Sequence, residues 1–93
     1  MTPSARRALS LRVLCAPAAW PHWPFLPVVR RRGGRVQLGV VFDARTARLT
    51  GYSATVFGCN LFTLPDRFDE FLALPKEVFD CAEELLDAGW AID

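Results

Sequence analysis

The sequence is poor in the residues that most often form metal and catalytic sites. It has one histidine and three cysteines, and no two of these cysteines have the C-x-x-C spacing of a zinc ligand pair. Because three cysteines cannot all pair within the chain, we expect Cys15, Cys59 and Cys81 to be small apolar packing residues in a reducing compartment. The sequence therefore predicts neither a metal site nor a cofactor.

Signatures of catalysis and of membrane insertion are also missing. His22 has no acidic neighbour in the sequence to orient it as a general base, and the glycines match no phosphate-binding or dinucleotide-binding loop. No apolar run approaches the roughly 18 residues of a membrane span, and Arg12 and Pro17 interrupt the segment that most resembles a secretory signal. We expect a protein that is not an enzyme, located in the cytoplasm.

Charge is strongly segregated along the chain. Residues 1–42 contain seven arginines and no acidic residue, whereas residues 43–93 contain ten acidic and four basic residues. The overall net charge of +1 therefore conceals one positive and one negative half. Such asymmetry is typical of a protein that binds something of opposite charge, or that pairs its own halves.

The pattern divides the 93 residues into an arm and a single domain. Residues 1–26 form a basic, Pro/Trp-rich N-terminal arm, in which alternating apolar residues at 9–15 suggest one strand. Residues 27–93 form a compact α+β domain. Gly33-Gly34 separates two alternating runs and predicts a hairpin, so we expect a three-stranded antiparallel meander over 27–32, 35–43 and 48–58, or a four-stranded one with the arm.

Two helices are predicted after the meander, packed on one face of it. Apolar residues at helical spacing indicate a first helix over 64–74, with Thr63 as its N-cap and Pro75 beyond its end. A second helix is predicted over 75–88 and closed by Gly89. Its apolar stripe consists of Val78, Phe79, Ala82, Leu85 and Leu86.

The opposite side of this second helix is predicted to bind a partner. Like charges at i+3 and i+4 destabilise an isolated helix, so we expect them to be neutralised by a basic surface. That surface belongs either to a larger protein or ribonucleoprotein or to the arginines of the same chain. This interpretation describes a small regulatory or inhibitory binding protein, of the kind that phages and mobile elements encode. The acidic residues are Glu77, Asp80, Glu83, Glu84 and Asp87.

The alternative interpretation is a nucleic-acid-binding accessory protein that uses the basic half. Guanidinium groups bind phosphates, and aromatic rings stack on unpaired bases. The residues that combine these two chemistries are Trp20, Trp23, Arg30, Arg31, Arg32 and Arg35. Homo-oligomerisation is left open by the sequence, and no membrane partner is expected.

Overall fold

An antiparallel sheet forms the centre of the computed structural model, which describes residues 2–43 and 54–93. Its strands are β1 (Phe25–Arg32), β2 (Arg35–Phe42), β3 (Thr55–Phe57), β4 (Lys76–Val78) and β5 (Ala91–Ile92). The five strands form one open sheet in the order β4-β3-β2-β1-β5, and every neighbouring pair is antiparallel. The α+β class is thus confirmed, while the predicted three or four strands are too few.

Three α-helices accompany the sheet within the described residues. They are α1 (Pro3–Leu14), α2 (Phe68–Leu72) and α3 (Ala82–Asp87), and two short 3-10 helices lie at Pro17–Ala19 and Leu61–Thr63. None of the helices in residues 2–43 and 54–93 has the length and apolar character needed to cross a membrane.

The hairpin around Gly33-Gly34 is confirmed. Strand β1 pairs with β2 along its whole length, and the last pair before the turn joins Arg32 to Arg35. Gly33 and Gly34 have φ angles of +57° and +77°, a left-handed conformation that side chains with a Cβ rarely adopt. Of the predicted third strand, 55–57 is observed as β3, and 48–53 lies outside the described residues.

The sheet buries both of its faces, which corrects the prediction that the two helices share one. Leu26, Val28, Val41 and Val56 form a core with Leu85 of α3 on one face, called here the α3 face. Because side chains alternate along a strand, the intervening residues point to the other side. There Val40, Phe42 and Phe57 pack against Phe71 of α2, on what is called the α2 face.

The predicted helix over 75–88 is wrong in its first half. Residues 76–78 form strand β4, and the helix begins only at Ala82. Two backbone hydrogen bonds hold this segment beside β3: Gly58 N donates to Pro75 O at 2.7 Å, and Phe79 N donates to Ala54 O at 3.0 Å. Val78 consequently lies on the surface, 58% exposed. Non-local strand pairing thus overrides a local helical pattern.

The predicted helix over 64–74 is much shorter than expected. It is the five-residue α2, and Arg67 rather than Thr63 occupies its N-cap. Thr63 instead ends the preceding 3-10 helix, whose cap is the Asn60 side chain accepting from Phe62 N at 2.9 Å. Aromatic packing determines where α2 lies, since the Phe71 ring is 4.3 Å from the ring of Phe57, centroid to centroid.

The strand suggested near residues 9–15 is also wrong, because this segment belongs to α1. Thr2 caps the helix, accepting a hydrogen bond from Ala5 N at 3.1 Å, and Pro3 occupies its first turn, where no amide hydrogen is required. Helix α1 contains no fully buried residue. Its alternating apolar residues therefore mark neither a buried strand nor a buried helical stripe.

Candidate functional site

Arg30 lies at the centre of a buried polar network on the α3 face. Its guanidinium group is 5% exposed and donates two hydrogen bonds to the Glu77 carboxylate, at 3.0 and 2.8 Å. The Trp90 ring lies against the same guanidinium, 4.4 Å from centroid to Cζ, and its Nε1 donates to Glu77 at 3.1 Å. One carboxylate therefore receives hydrogen bonds from both the arginine and the tryptophan.

Two further groups complete the network around Arg30. Its Nε donates to the Gln37 side-chain oxygen at 2.7 Å, and one terminal nitrogen donates to Ala88 O at 3.3 Å. Gly39 leaves the space that Trp90 occupies, since a Cβ there would lie 2.5 Å from a Val56 methyl group and 3.3 Å from the Trp90 ring. These contacts join Arg30 to strand β2 and to the C-terminal segment of the chain.

Two predicted site residues, Arg30 and Glu77, pair with each other in this network. Glu77 lies on β4, apart from the acidic residues of α3, and its partly exposed carboxylate neutralises the buried Arg30. Pairing of the acidic half with the chain's own arginines, one of the outcomes foreseen from sequence, is therefore observed at this position. No pattern in the sequence indicates Gln37, Gly39 and Trp90, because their roles arise from contacts between distant segments.

The end of the hairpin, residues 31–36, forms a separate basic surface that we call the hairpin tip. Arg31, Arg32 and Arg35 are all exposed, and none has a carboxylate partner in the described part of the chain. Val36, which sequence reasoning did not select, is 58% exposed beside them. Three unpaired positive charges therefore lie together at one end of the sheet.

The two candidate tryptophans do not join this basic surface. Trp20 is a core residue, 5% exposed, and its Nε1 donates to Val13 O at 2.6 Å. Trp23 is half exposed and donates to Asp43 Oδ2 at 3.0 Å. Because Trp23 precedes β1 and Arg31 lies near its other end, about 20 Å of strand separates them. The structure thus keeps the arginines and the tryptophans apart.

The exposed acidic residues beside and on α3 form what we call the acidic surface: Asp80, Glu83, Glu84 and Asp87. Asp87 pairs with Arg7 of α1, whose nitrogen is 2.9 Å from its carboxylate. Glu84 accepts a hydrogen bond at 2.9 Å from the backbone N–H of Asp80, in the segment just before the helix. Local contacts thus offset part of the repulsion that the sequence indicates.

Glu83 is the acidic residue whose ionisation the structure favours. Its own backbone N–H donates to the carboxylate, and this hydrogen bond, followed by one from the Cys81 thiol, lowers the pKa of Glu83 from its ordinary value. Arg7 lowers this pKa further. The carboxylate therefore keeps its negative charge further into the acid range.

Two of the three cysteines do not behave as the apolar packing residues expected from sequence, whereas Cys59 does. All three are free thiols, and Cys15 and Cys81 are exposed. Cys59 is half buried against the α2 face, and burial raises the pKa of its thiol. No cluster of three or more metal-ligating side chains occurs in residues 2–43 and 54–93.

The comparisons with known proteins identify no relative. No protein-family model matches the chain, and searches of curated proteins and of solved structures find no match. The functional argument therefore depends on the two charged surfaces alone.

Proposed function

We propose that the chain is a small, non-catalytic binding protein, located in the cytoplasm, that regulates or inhibits a larger macromolecule by protein–protein contact. Its contact surface is the acidic surface, and its partner is a protein or ribonucleoprotein with a basic surface. Glu77 is left out of this surface because Arg30 already neutralises it.

The observation that carries this proposal is the exposure of three carboxylates that form no ion pair within residues 2–43 and 54–93. Asp80, Glu83 and Glu84 have no ion-pair partner among the described residues, whereas Asp87 pairs with Arg7. A concentrated negative potential speeds association with a basic partner and helps to fix its orientation. The lowered pKa of Glu83 keeps the charge of this one carboxylate in place as the pH falls.

A second candidate function is nucleic-acid binding by the hairpin tip. The three exposed arginines, which have no carboxylate partner in the described residues, favour it, and the acidic surface begins at the other end of the sheet. Phe79 N donates to Ala54 O, next to the end of β3 that lies farthest from the hairpin turn, so α3 begins at the opposite end of the sheet from the tip. One protein could therefore contact nucleic acid and a basic protein at the same time.

The experiment for the acidic surface is partner capture from the native host with a tagged full chain. The triple variant Asp80→Asn, Glu83→Gln and Glu84→Gln should keep its fold and lose the partner. With purified proteins, the rate at which the triple variant associates with the partner should fall most at low salt. Charges at the edge of an interface act mainly on the association rate.

The matched control is the variant Asp66→Asn, Asp69→Asn and Glu70→Gln, which removes the same charge from exposed positions at and before α2. It should retain the partner at the wild-type rate. Equal loss in both triple variants would show that only net charge matters, and full binding by the first variant would refute the acidic surface as the contact.

A further inference from the structure

The hairpin tip extends beyond the rest of the sheet as a two-stranded ribbon. Strand β5 pairs with β1 only at Val28 and Val29, and β3 pairs with β2 only at Val40 and Val41. Residues 31–38 consequently have no third strand beside them in the described chain, and all eight are exposed. The ribbon therefore projects into solvent.

The dimensions of this ribbon match a groove of duplex DNA. From the Arg30–Gln37 pair to the turn, two residue pairs and the turn itself span about 10 Å, and two paired strands lie about 5 Å apart. The major groove of B-DNA is about 12 Å wide and 8.5 Å deep, and it admits a two-stranded β-ribbon. The turn is narrow as well, because Gly33 and Gly34 carry no side chain and nothing else lies within 4 Å of where their Cβ atoms would be.

The arginines lie on both faces of the ribbon. Strand alternation places Arg31 and its partner Val36 on the α2 face, and Arg32 and its partner Arg35 on the α3 face. A ribbon that enters a groove turn first presents its two faces to the two phosphate backbones. Positive charge on both faces is therefore the arrangement that such insertion requires.

The base of the ribbon is held in place by the buried network. The Arg30 and Gln37 side chains join the two strands directly below the tip, and Glu77 and Trp90 fix Arg30 in turn. Because Glu77 neutralises Arg30, the field at the tip comes from the three exposed arginines. Arg30 is thus a positioning residue for the tip.

We propose that the hairpin tip binds duplex DNA by inserting into the major groove, with Arg31, Arg32 and Arg35 on the phosphates. With the three arginines on the phosphates and the Gln37 side chain held by Arg30, the ribbon has no polar side chain left to read the bases, so the binding is independent of sequence. Contacts of this kind give dissociation constants of about 10⁻⁴ to 10⁻⁶ M at physiological salt. This inference rests on the second candidate function, nucleic-acid binding by the hairpin tip, and it is independent of the acidic surface.

The first test measures anisotropy of a labelled mixed-sequence duplex of about 20 base pairs with the full chain between about 50 and 300 mM salt. Three phosphate contacts predict a slope of log affinity against log salt near −2.7, at about −0.9 for each contact. The variant Arg31→Gln, Arg35→Gln removes one arginine from each strand. It should make the slope shallower, at about −0.9, and should weaken binding at 50 mM salt at least about tenfold.

Two further variants serve as controls for this effect. Arg6→Gln, Arg12→Gln removes the same charge from exposed positions of α1 and should leave the slope unchanged. Arg31→Lys, Arg35→Lys keeps the charge and should restore most of the binding, because lysine contacts phosphate as a point charge. Equal losses in the tip and α1 variants would overturn the proposal.

The second test determines whether the ribbon enters the major groove. Saturating protein should reduce methylation of guanine N7, an atom of the major groove, and duplex RNA should bind much more weakly because its major groove is too narrow for side chains. Unchanged methylation would overturn the insertion. So would equal affinity for single-stranded DNA or for polyglutamate, which would show a general attraction to anions.

Discussion

Arg30 and the hairpin-tip arginines are the same residue type in one hairpin, yet their environments are opposite. Arg30 is buried, with a carboxylate, an amide, a backbone carbonyl and an aromatic ring around it. Arg31, Arg32 and Arg35 are exposed, with no carboxylate partner in the described residues. The comparison teaches that a basic run can combine one structural residue with several that are free to bind.

The difference arises from position on the sheet. Strand alternation directs Arg30 onto the α3 face, where Gly39 leaves room for Trp90 and where β4 supplies Glu77. From Arg31 to the turn, no such neighbouring groups cover the arginines, which are exposed. A buried charge needs a partner because its desolvation costs several kcal/mol, whereas an exposed charge stays hydrated. Within a few residues of one hairpin, the fold thus places one arginine that needs an internal partner and three that are free to bind a ligand.

The largest expected effect comes from removing the partner of the buried arginine, Arg30. Glu77→Ala should lower the free energy of unfolding by about 3 kcal/mol, because it leaves the Arg30 guanidinium buried without an anion. The value lies at the low end for a broken buried pair, because the Glu77 side chain is 41% exposed and because Gln37 and Ala88 still accept hydrogen bonds from Arg30. Urea denaturation measures the change.

Two variants act as controls for Glu77→Ala. Arg31→Gln, at the exposed position next to Arg30, should change the stability by about 0.5 kcal/mol or less. Arg30→Met combined with Glu77→Leu should recover most of the lost stability, because apolar replacement of both partners removes the desolvation cost. Equal effects of Glu77→Ala and Arg31→Gln would show that Arg30 is not distinct from its neighbour.

What the sequence predicted was the part of the fold encoded locally. The hairpin followed from period-2 alternation on both sides of Gly33-Gly34, and the end of α3 followed from Gly89, whose φ is +95°. Strand β4 could not be predicted in the same way. Its residues match a helical period, and their strand conformation depends on pairing with Thr55–Phe57 far away in the chain.

The candidate surfaces were predicted only in part for the same reason. Glu77 looked like one more acid on a helix because its partner, Arg30, is 47 residues away. Trp20 and Arg30 looked like members of a binding surface because composition does not distinguish burial from exposure. Arg31, Arg32 and Arg35 lie together at the tip, since a single turn positions all three.

A smaller effect on stability is expected at a second buried polar group. The Thr55 hydroxyl is fully buried on the α2 face and has no hydrogen-bond partner in the described structure. Thr55→Val keeps the side-chain shape and should raise the free energy of unfolding by about 1 kcal/mol, because it removes an unsatisfied group. A loss of stability in the thermal melt would show that the hydroxyl is in fact hydrogen-bonded.

The division between structural and free arginines can be measured in a single NMR experiment. Hydrogen exchange of the arginine Nε–H groups reports burial and hydrogen bonding for each side chain separately. The account predicts that the Arg30 group, which donates to Gln37 at 2.7 Å, exchanges at least about tenfold more slowly than those of Arg31, Arg32 and Arg35. Equal exchange rates for the four groups would contradict it.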